Sequence, residues 1–338
     1  PWAPEHRLVR VAIKGQEMTT EQRPAANIVF LLDVSGSMQP ANKLPLVKQA
    51  LRMLIESLRP DDKVAIVVYA GAAGMVLPAT SGADQAAIHG ALDRLGAGGS
   101  TNGGAGIELA YRLASESFVE GGVNRVVLCT DGDFNCGISD RSSLARMIEE
   151  KAKTGVFLSV LGFGMGNVKD GFMEELSNRG NGNYGYVDTL DEAKKVLVDE
   201  GLGTLVTIAK DVKIQVFFNP AKVAGWRLIG YENRILARED FHDDTKDAGE
   251  IGAGHTVTAL YEIVPAGVAL AGPRVDPNPF VSHPEGTRPG AEAVVEATSN
   301  ALLRLRLRYK QPDEDTSTLL EQDLVDEGST FDLLDDDF

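Results

Sequence analysis

Residues 27–33 read Asn-Ile-Val-Phe-Leu-Leu-Asp, a nearly unbroken apolar run that stops at Asp33-Val34-Ser35-Gly36-Ser37. Successive side chains of a strand point to opposite faces, so a strand that is apolar throughout needs cover on both sides. That requirement calls for helices on either face of a sheet, and the following sequence supplies them. Leu44–Leu58 carries Leu46, Val47, Ala50, Leu51, Leu54, Ile55 and Leu58 at helical spacing. Strands are expected at Lys63–Ala70, Met75–Leu77 (a short edge strand), Asn124–Thr130, Val156–Gly162 and Tyr184–Val187. Helices are expected at Ala83–Leu95, Gly104–Phe118, Ser142–Lys153, Lys169–Asn178 and Leu190–Glu200. This alternation predicts an α/β fold: a doubly wound, mostly parallel, Rossmann-like sheet with helices on both faces.

Outside that block the chain is β-rich, at His6–Lys14, Leu205–Phe218, Trp226–Tyr231, Thr256–Val264 and Ala301–Tyr309. One strand before the block and four after it imply an antiparallel, β-sandwich-like domain into which the α/β domain is inserted. The expected divisions are 1–22 (first β strand), 23–201 (α/β domain), 202–310 (β-rich domain) and 311–338 (acidic linker or tail). Residues 266–298, rich in Pro and Gly, read as a long excursion.

With 338 residues and 43% hydrophobic content, the chain can bury a large core and has room for about two domains. After Lys310 there are 11 Asp and Glu and no Lys or Arg, so a net charge of -16 leaves the body mildly acidic. No basic stripe is present, which argues against nucleic acid and anionic lipid as partners. No stretch of this fragment is long enough to span a membrane, and no leader peptide is recognisable. The five histidines have no metal-ligand spacing. Cys129 and Cys136 form neither a zinc set nor a disulfide framework. Cys129 reads as a small core residue, and a disulfide to Cys136 bracing the loop between them is open in an oxidising compartment.

Three oxygen-bearing segments fall at carboxyl ends of predicted strands or in the loops opening there, where ligands of doubly wound sheets bind. The first is Asp33-x-Ser35-x-Ser37. The second is Gly98-Gly99-Ser100-Thr101-Asn102-Gly103-Gly104, a glycine-rich loop presenting Thr101. The third is Thr130-Asp131-Gly132. Alone, the first motif is ordinary turn and cap chemistry. Together the segments offer oxygen-only donors, which suit a hard divalent cation such as Mg²⁺, with Mn²⁺ or Ca²⁺ as alternatives. Asp133 and Asn135 read as turn residues beside this set, and Phe134 as a loop anchor.

Asp33-x-Ser35-x-Ser37, Thr101 and Thr130-Asp131-Gly132 resemble the metal-ion-dependent adhesion site of von Willebrand factor type A domains. The stretches 27–38, 98–111, 131–137, 180–186, 208–219, 226–234 and 249–265 resemble the bacterial, cell-envelope YfbK-like group, so the likeness covers most of residues 1–312. The resemblance implies a non-catalytic module that uses a metal to bind an acidic residue of a partner protein. It implies direct metal bonds from Ser35 and Ser37, a direct or water-mediated bond from Thr101, and mainly water-mediated roles for Asp33 and Asp131. It also implies a cell-envelope location and further regions on either side of this chain.

Two other readings compete. A structural scaffold whose metal only stabilises the fold would use the same residues. Asp33-x-x-Gly36-Ser37 after a strand also resembles the opening motif of haloacid-dehalogenase-like Mg²⁺ phosphatases; that resemblance implies a second Asp two residues later as acid/base, and Ser35 stands there instead. A nucleotide fingerprint at Gly162-Phe163-Gly164-Met165-Gly166-Asn167 lacks its third glycine, which leaves a glycine-rich turn. The acidic end, 311–338, reads as a solvated linker, with occupation of a neighbour's metal site by a tail carboxylate as a remote alternative.

Overall fold

The computed structural model describes residues 3–19, 21–99, 103–132, 141–164, 170–199, 206–230, 236–246, 248–268, 300–312 and 314–328. They form two units, Gly15–Ala209 with Gly249–His255, and Pro1–Lys14 with Lys210–Ala248 and Thr256–Phe338. The first unit is thus inserted in the chain of the second, as the sequence pattern implies.

The inserted unit is built on strands β2 (Ala26–Asp33), β3 (Lys63–Tyr69), β4 (Ala73–Ser81), β5 (Val123–Thr130), β6 (Phe157–Phe163) and β7 (Tyr184–Val187). Their order in the sheet is β4-β3-β2-β5-β6-β7, parallel except for β4. All eight residues of the central β2 are buried. Ile28, Phe30 and Leu32 enter one core with Val47, Leu51 and Leu54 of α1 (Leu44–Glu56) and Ile88 and Leu92 of α2 (Gln85–Asp93). Val29 and Leu31 enter the other with Ile107 and Tyr111 of α3 (Gly103–Glu116), Leu144 of α4 (Arg141–Ala152) and Leu176 of α5 (Asp170–Arg179). The apolar run is therefore covered on both faces, the arrangement its composition demands.

Helix ends follow local chemistry. Asp84 caps α2 through Ala87 N at 3.1 Å. Thr189 caps α6 (Leu190–Lys194) through Glu192 N at 3.2 Å, and a π-helical turn (Lys195–Asp199) follows, where a single helix is expected from sequence. The edge strand β4 runs nine residues rather than three. At the entry to β2, buried Asp62 accepts hydrogen bonds from the Arg23 guanidinium (2.8 and 2.5 Å), Ala26 N (2.9 Å) and Arg59 N (2.7 Å).

The second unit has strands β1 (Arg7–Lys14), β9 (Val223–Ile229) and β11 (Thr256–Pro265) in one antiparallel sheet, ordered β1-β11-β9. In the other sheet β12 (Leu303–Lys310) lies between β8 (Thr207–Phe218) and β13 (Thr318–Leu324); the short β10 (Gly249–Gly252) falls in the return segment of the inserted unit. Val9, Val11, Val223 and Ile263 of the first sheet share a core with Leu303, Val216 and Phe218 of the second, as in a sandwich. Phe218, Trp226 and Tyr261 add an aromatic cluster with centroids 5.3–5.9 Å apart.

Two strands here are absent from the sequence expectation. β10 is only four residues long. β13 corrects the reading of 311–338 as linker: its residues are all exposed, so no apolar alternation marks it. Its partner strand provides the reason it forms. Arg304 and Arg306 of β12 stand directly opposite Asp323 and Glu321, and both pairs close as ion pairs, at 2.6 and 2.5 Å. The acidity that suggests a solvated tail is the complement of the alternating arginines on β12.

Candidate metal-binding site

The site lies where β2 and β5 end, next to each other, at the carboxyl edge of the parallel sheet. Asp33 is the last residue of β2 and fully buried. Its Oδ1 accepts the Ser35 amide at 2.9 Å, and its Oδ2 accepts the hydroxyls of Tyr69 and Thr130, each at 3.2 Å. Ser35 is the N-cap residue of a short 3₁₀ turn (Gly36–Met38), and the Oγ atoms of Ser35 and Ser37 are 3.1 Å apart. Ser35 is buried and Ser37 exposed, so the hydroxyl pair leads from the carboxylate to solvent.

The glycine-rich loop is stitched onto this turn by its backbone. Gly98 N donates to Val34 O at 2.7 Å, and Gly36 N donates to Gly99 O at 3.2 Å. Gly99 has φ +87, a left-handed conformation that suits glycine. On the far side of the loop, α3 lies so close to the sheet that a Cβ on Gly106 would sit 2.9 Å from Tyr69 Cβ and 3.1 Å from Leu31 Cδ1. Thr101 lies between these two anchored ends and outside the described residues, as do Asp133, Phe134, Asn135 and Cys136 with the rest of 133–140. Cys129 is a buried residue of the core, as its sequence reading expects, and the disulfide to Cys136 left open by the sequence falls outside the described residues.

Asp131 follows β5 and is nearly buried. Its Oδ2 takes a 2.8 Å ion pair from Lys43 Nζ. Burial, and then the nearby charge of Asp131, raise the Asp33 carboxyl above its ordinary value against the hydrogen bonds from Ser35 and Tyr69. Burial and then the Asp33 charge push the Tyr69 phenol upward. A buried carboxylate held by neutral donors, beside a second carboxylate and two hydroxyls 3.1 Å apart, is an oxygen-rich set fit for a hard divalent cation. Among the described residues no group of three or more His, Cys, Asp or Glu is placed to hold a metal.

The structure thus brings together four of the five residues expected from sequence: Asp33, Ser35, Ser37 and Asp131. Tyr69, Thr130 and Lys43 act on them without having been singled out for those contacts. Tyr69 has no local signal, because it closes the apolar run Val64–Val68 and reads as one more strand residue. Thr130 sits inside the motif. Lys43 carries one clue: a cation at the start of a helix opposes the helix dipole and asks for a reason.

Residues 27–199 match the von Willebrand factor type A domain, which is half of the chain and contains the whole candidate site. The chain belongs to the von Willebrand factor type A domain family. Residues 203–338 match a second family, described as "Uncharacterized protein YfbK, C-terminal". The chain is 43% identical to YfbK of Escherichia coli (strain K12) over 95% of its own length and 54% of that protein. It is 29% identical to human inter-alpha-trypsin inhibitor heavy chain H4 over 45% of its length and 17% of that protein. A solved structure titled von Willebrand factor type A from Catenulispora acidiphila overlaps 96% of this chain and 75% of its own, with TM-score 0.49 and 16% identity. The chain spans about half the length of the first curated relatives it matches, 54% and 43%. Among the described residues no helix is long and apolar enough to cross a membrane.

Proposed function

We propose that this chain is a metal-ion-dependent protein-binding module in which Asp33, Ser35, Ser37, Thr101 and Asp131 hold Mg²⁺, with Mn²⁺ or Ca²⁺ as alternatives. The observation that carries the reading is the serine hydroxyl pair, 3.1 Å apart, opening outward from the buried Asp33 carboxylate. When bound, the ion supplies a Lewis-acidic position for a carboxylate of the partner protein. The chain's residues prepare that position. Neutral hydroxyls from Ser35, Ser37 and Thr101 leave the ion most of its charge, and Asp33, fixed by Tyr69 and Thr130, holds the serine turn in place. No catalytic role is assigned, and Ser35 leaves no carboxylate where a phosphatase would commonly use one. By resemblance to the YfbK-like group, we place the module at the bacterial cell envelope, on its periplasmic or extracellular side.

The test is a pull-down from envelope extracts, with and without EDTA, using wild type and Asp33→Ala. The reading requires a captured protein that is lost both in EDTA and with Asp33→Ala while the fold persists. Capture that survives both would assign the metal to fold stabilisation alone. Metal-dependent hydrolysis abolished by Asp33→Asn would return the site to an enzyme.

A further inference from the structure

Lys43 is built into the site rather than resting on it. It is the N-cap residue of α1, and Val47 N closes the first helical turn on its carbonyl at 2.9 Å. A positive charge there opposes the helix dipole. Its stem crosses Gly164 at the end of β6, where a Cβ would meet Lys43 Cε at 2.7 Å and Cγ at 3.1 Å; Gly164 also has φ +100. The second glycine of the failed nucleotide motif therefore makes room for this lysine. The ammonium ends 2.8 Å from Asp131 Oδ2, on a carboxylate side chain only 3% exposed.

We propose that Lys43 is a built-in counter-ion for Asp131 that competes with the divalent cation for that carboxylate and so lowers the metal affinity of the site. The inference rests on the metal-binding reading above. While Asp131 is committed to Lys43, its charge is spent on the ammonium and is not delivered to the ion. The ion, when bound, then keeps more of its charge for an external carboxylate. Metal loading and Lys43 thus draw on one carboxylate, which makes the site an exchange between a tethered monovalent cation and a free divalent one. The effect expected is roughly ten-fold or more, ten-fold being the factor by which a unit charge acts on a divalent ion across about 6 Å even at the dielectric of water.

The test is titration calorimetry with Mg²⁺ alone, and with Mn²⁺ alone, on the full chain. Lys43→Met keeps the stem over Gly164 and removes the charge, Lys43→Arg keeps a charge, and Asp33→Asn serves as the non-binding control. Circular dichroism checks that each variant is folded. Tighter binding by about ten-fold or more in Lys43→Met, with Lys43→Arg close to wild type, supports the proposal. So does binding that appears only in Lys43→Met. Unchanged or weaker binding in Lys43→Met, with wild type binding and Asp33→Asn not, overturns the Lys43 role and leaves the metal reading intact. Absence of binding in wild type and in Lys43→Met overturns both.

Discussion

Replacing Asp33 by Asn is expected to abolish metal binding and, in metal-free protein, to make the fold more stable. The hydrogen bonds that Asp33 accepts from the Ser35 amide, Tyr69 and Thr130 can survive the change. Oδ1 keeps the Ser35 amide, and the hydroxyls of Tyr69 and Thr130 can rotate to accept from the new amide, since a hydroxyl serves in either role. What disappears is a buried charge beside Asp131. The Asp33 carboxyl is raised in the fold, first by burial, so its ionised form costs stability at neutral pH. The sign follows: metal-free stability rises as pH is lowered through the folded Asp33 pKa and gains nothing more below the ordinary 3.8. Neutralisation should contribute about 1 kcal/mol, the usual scale when a functional compromise is relieved. In a unit of about 200 residues that is about 2–4 °C in melting temperature. The assay is thermal unfolding of both proteins in EDTA and in excess Mg²⁺. At a hundred times its dissociation constant the ion should stabilise wild type by about 2.7 kcal/mol and leave Asp33→Asn unmoved. A variant that melts lower than wild type in EDTA, or that still gains from Mg²⁺, refutes the reasoning.

Asp62→Asn should destabilise the inserted unit by about 3–5 kcal/mol in a urea titration, because it strands the buried Arg23 guanidinium. Burial raises the Asp62 carboxyl, but the Arg23 and backbone hydrogen bonds outweigh it and hold it below 3.8. Its contribution is therefore complete above that value and lost as pH falls through the lower folded pKa, visible as a steeper acid limb in wild type than in Asp62→Asn. Gly106→Val should cost about 1–3 kcal/mol by overpacking against Tyr69 and Leu31. It should also weaken Mg²⁺ binding through displacement of α3 and the Thr101 loop, measured by calorimetry. Reversing Glu321 and Asp323 together to Lys should free β13 from Arg304 and Arg306, raising amide exchange over 318–324 while exchange in β2 stays unchanged.

Much of the inserted unit is legible in the sequence because its signals are local. An apolar strand, a helix of 3.6-residue period and a glycine turn each announce themselves within a few residues, and their alternation leaves few topologies. The oxygen motifs are legible for the same reason: Asp33, Ser35 and Ser37 lie within five residues on one turn, and Asp131 closes a strand. β13 is not legible, because its stabilisation belongs to a partner strand; only the register opposite Arg304 and Arg306 turns acidic, exposed residues into a strand. Tyr69 and Lys43 are hidden in the same way. Tyr69 reaches Asp33 from a neighbouring strand 36 residues on, and Lys43 reaches Asp131 across 88 residues. The sequence by itself determined the fold class and the donor types of the site. Tertiary structure alone decided which charges face those donors, since the Coulomb interaction depends on distance in space and is blind to separation along the chain.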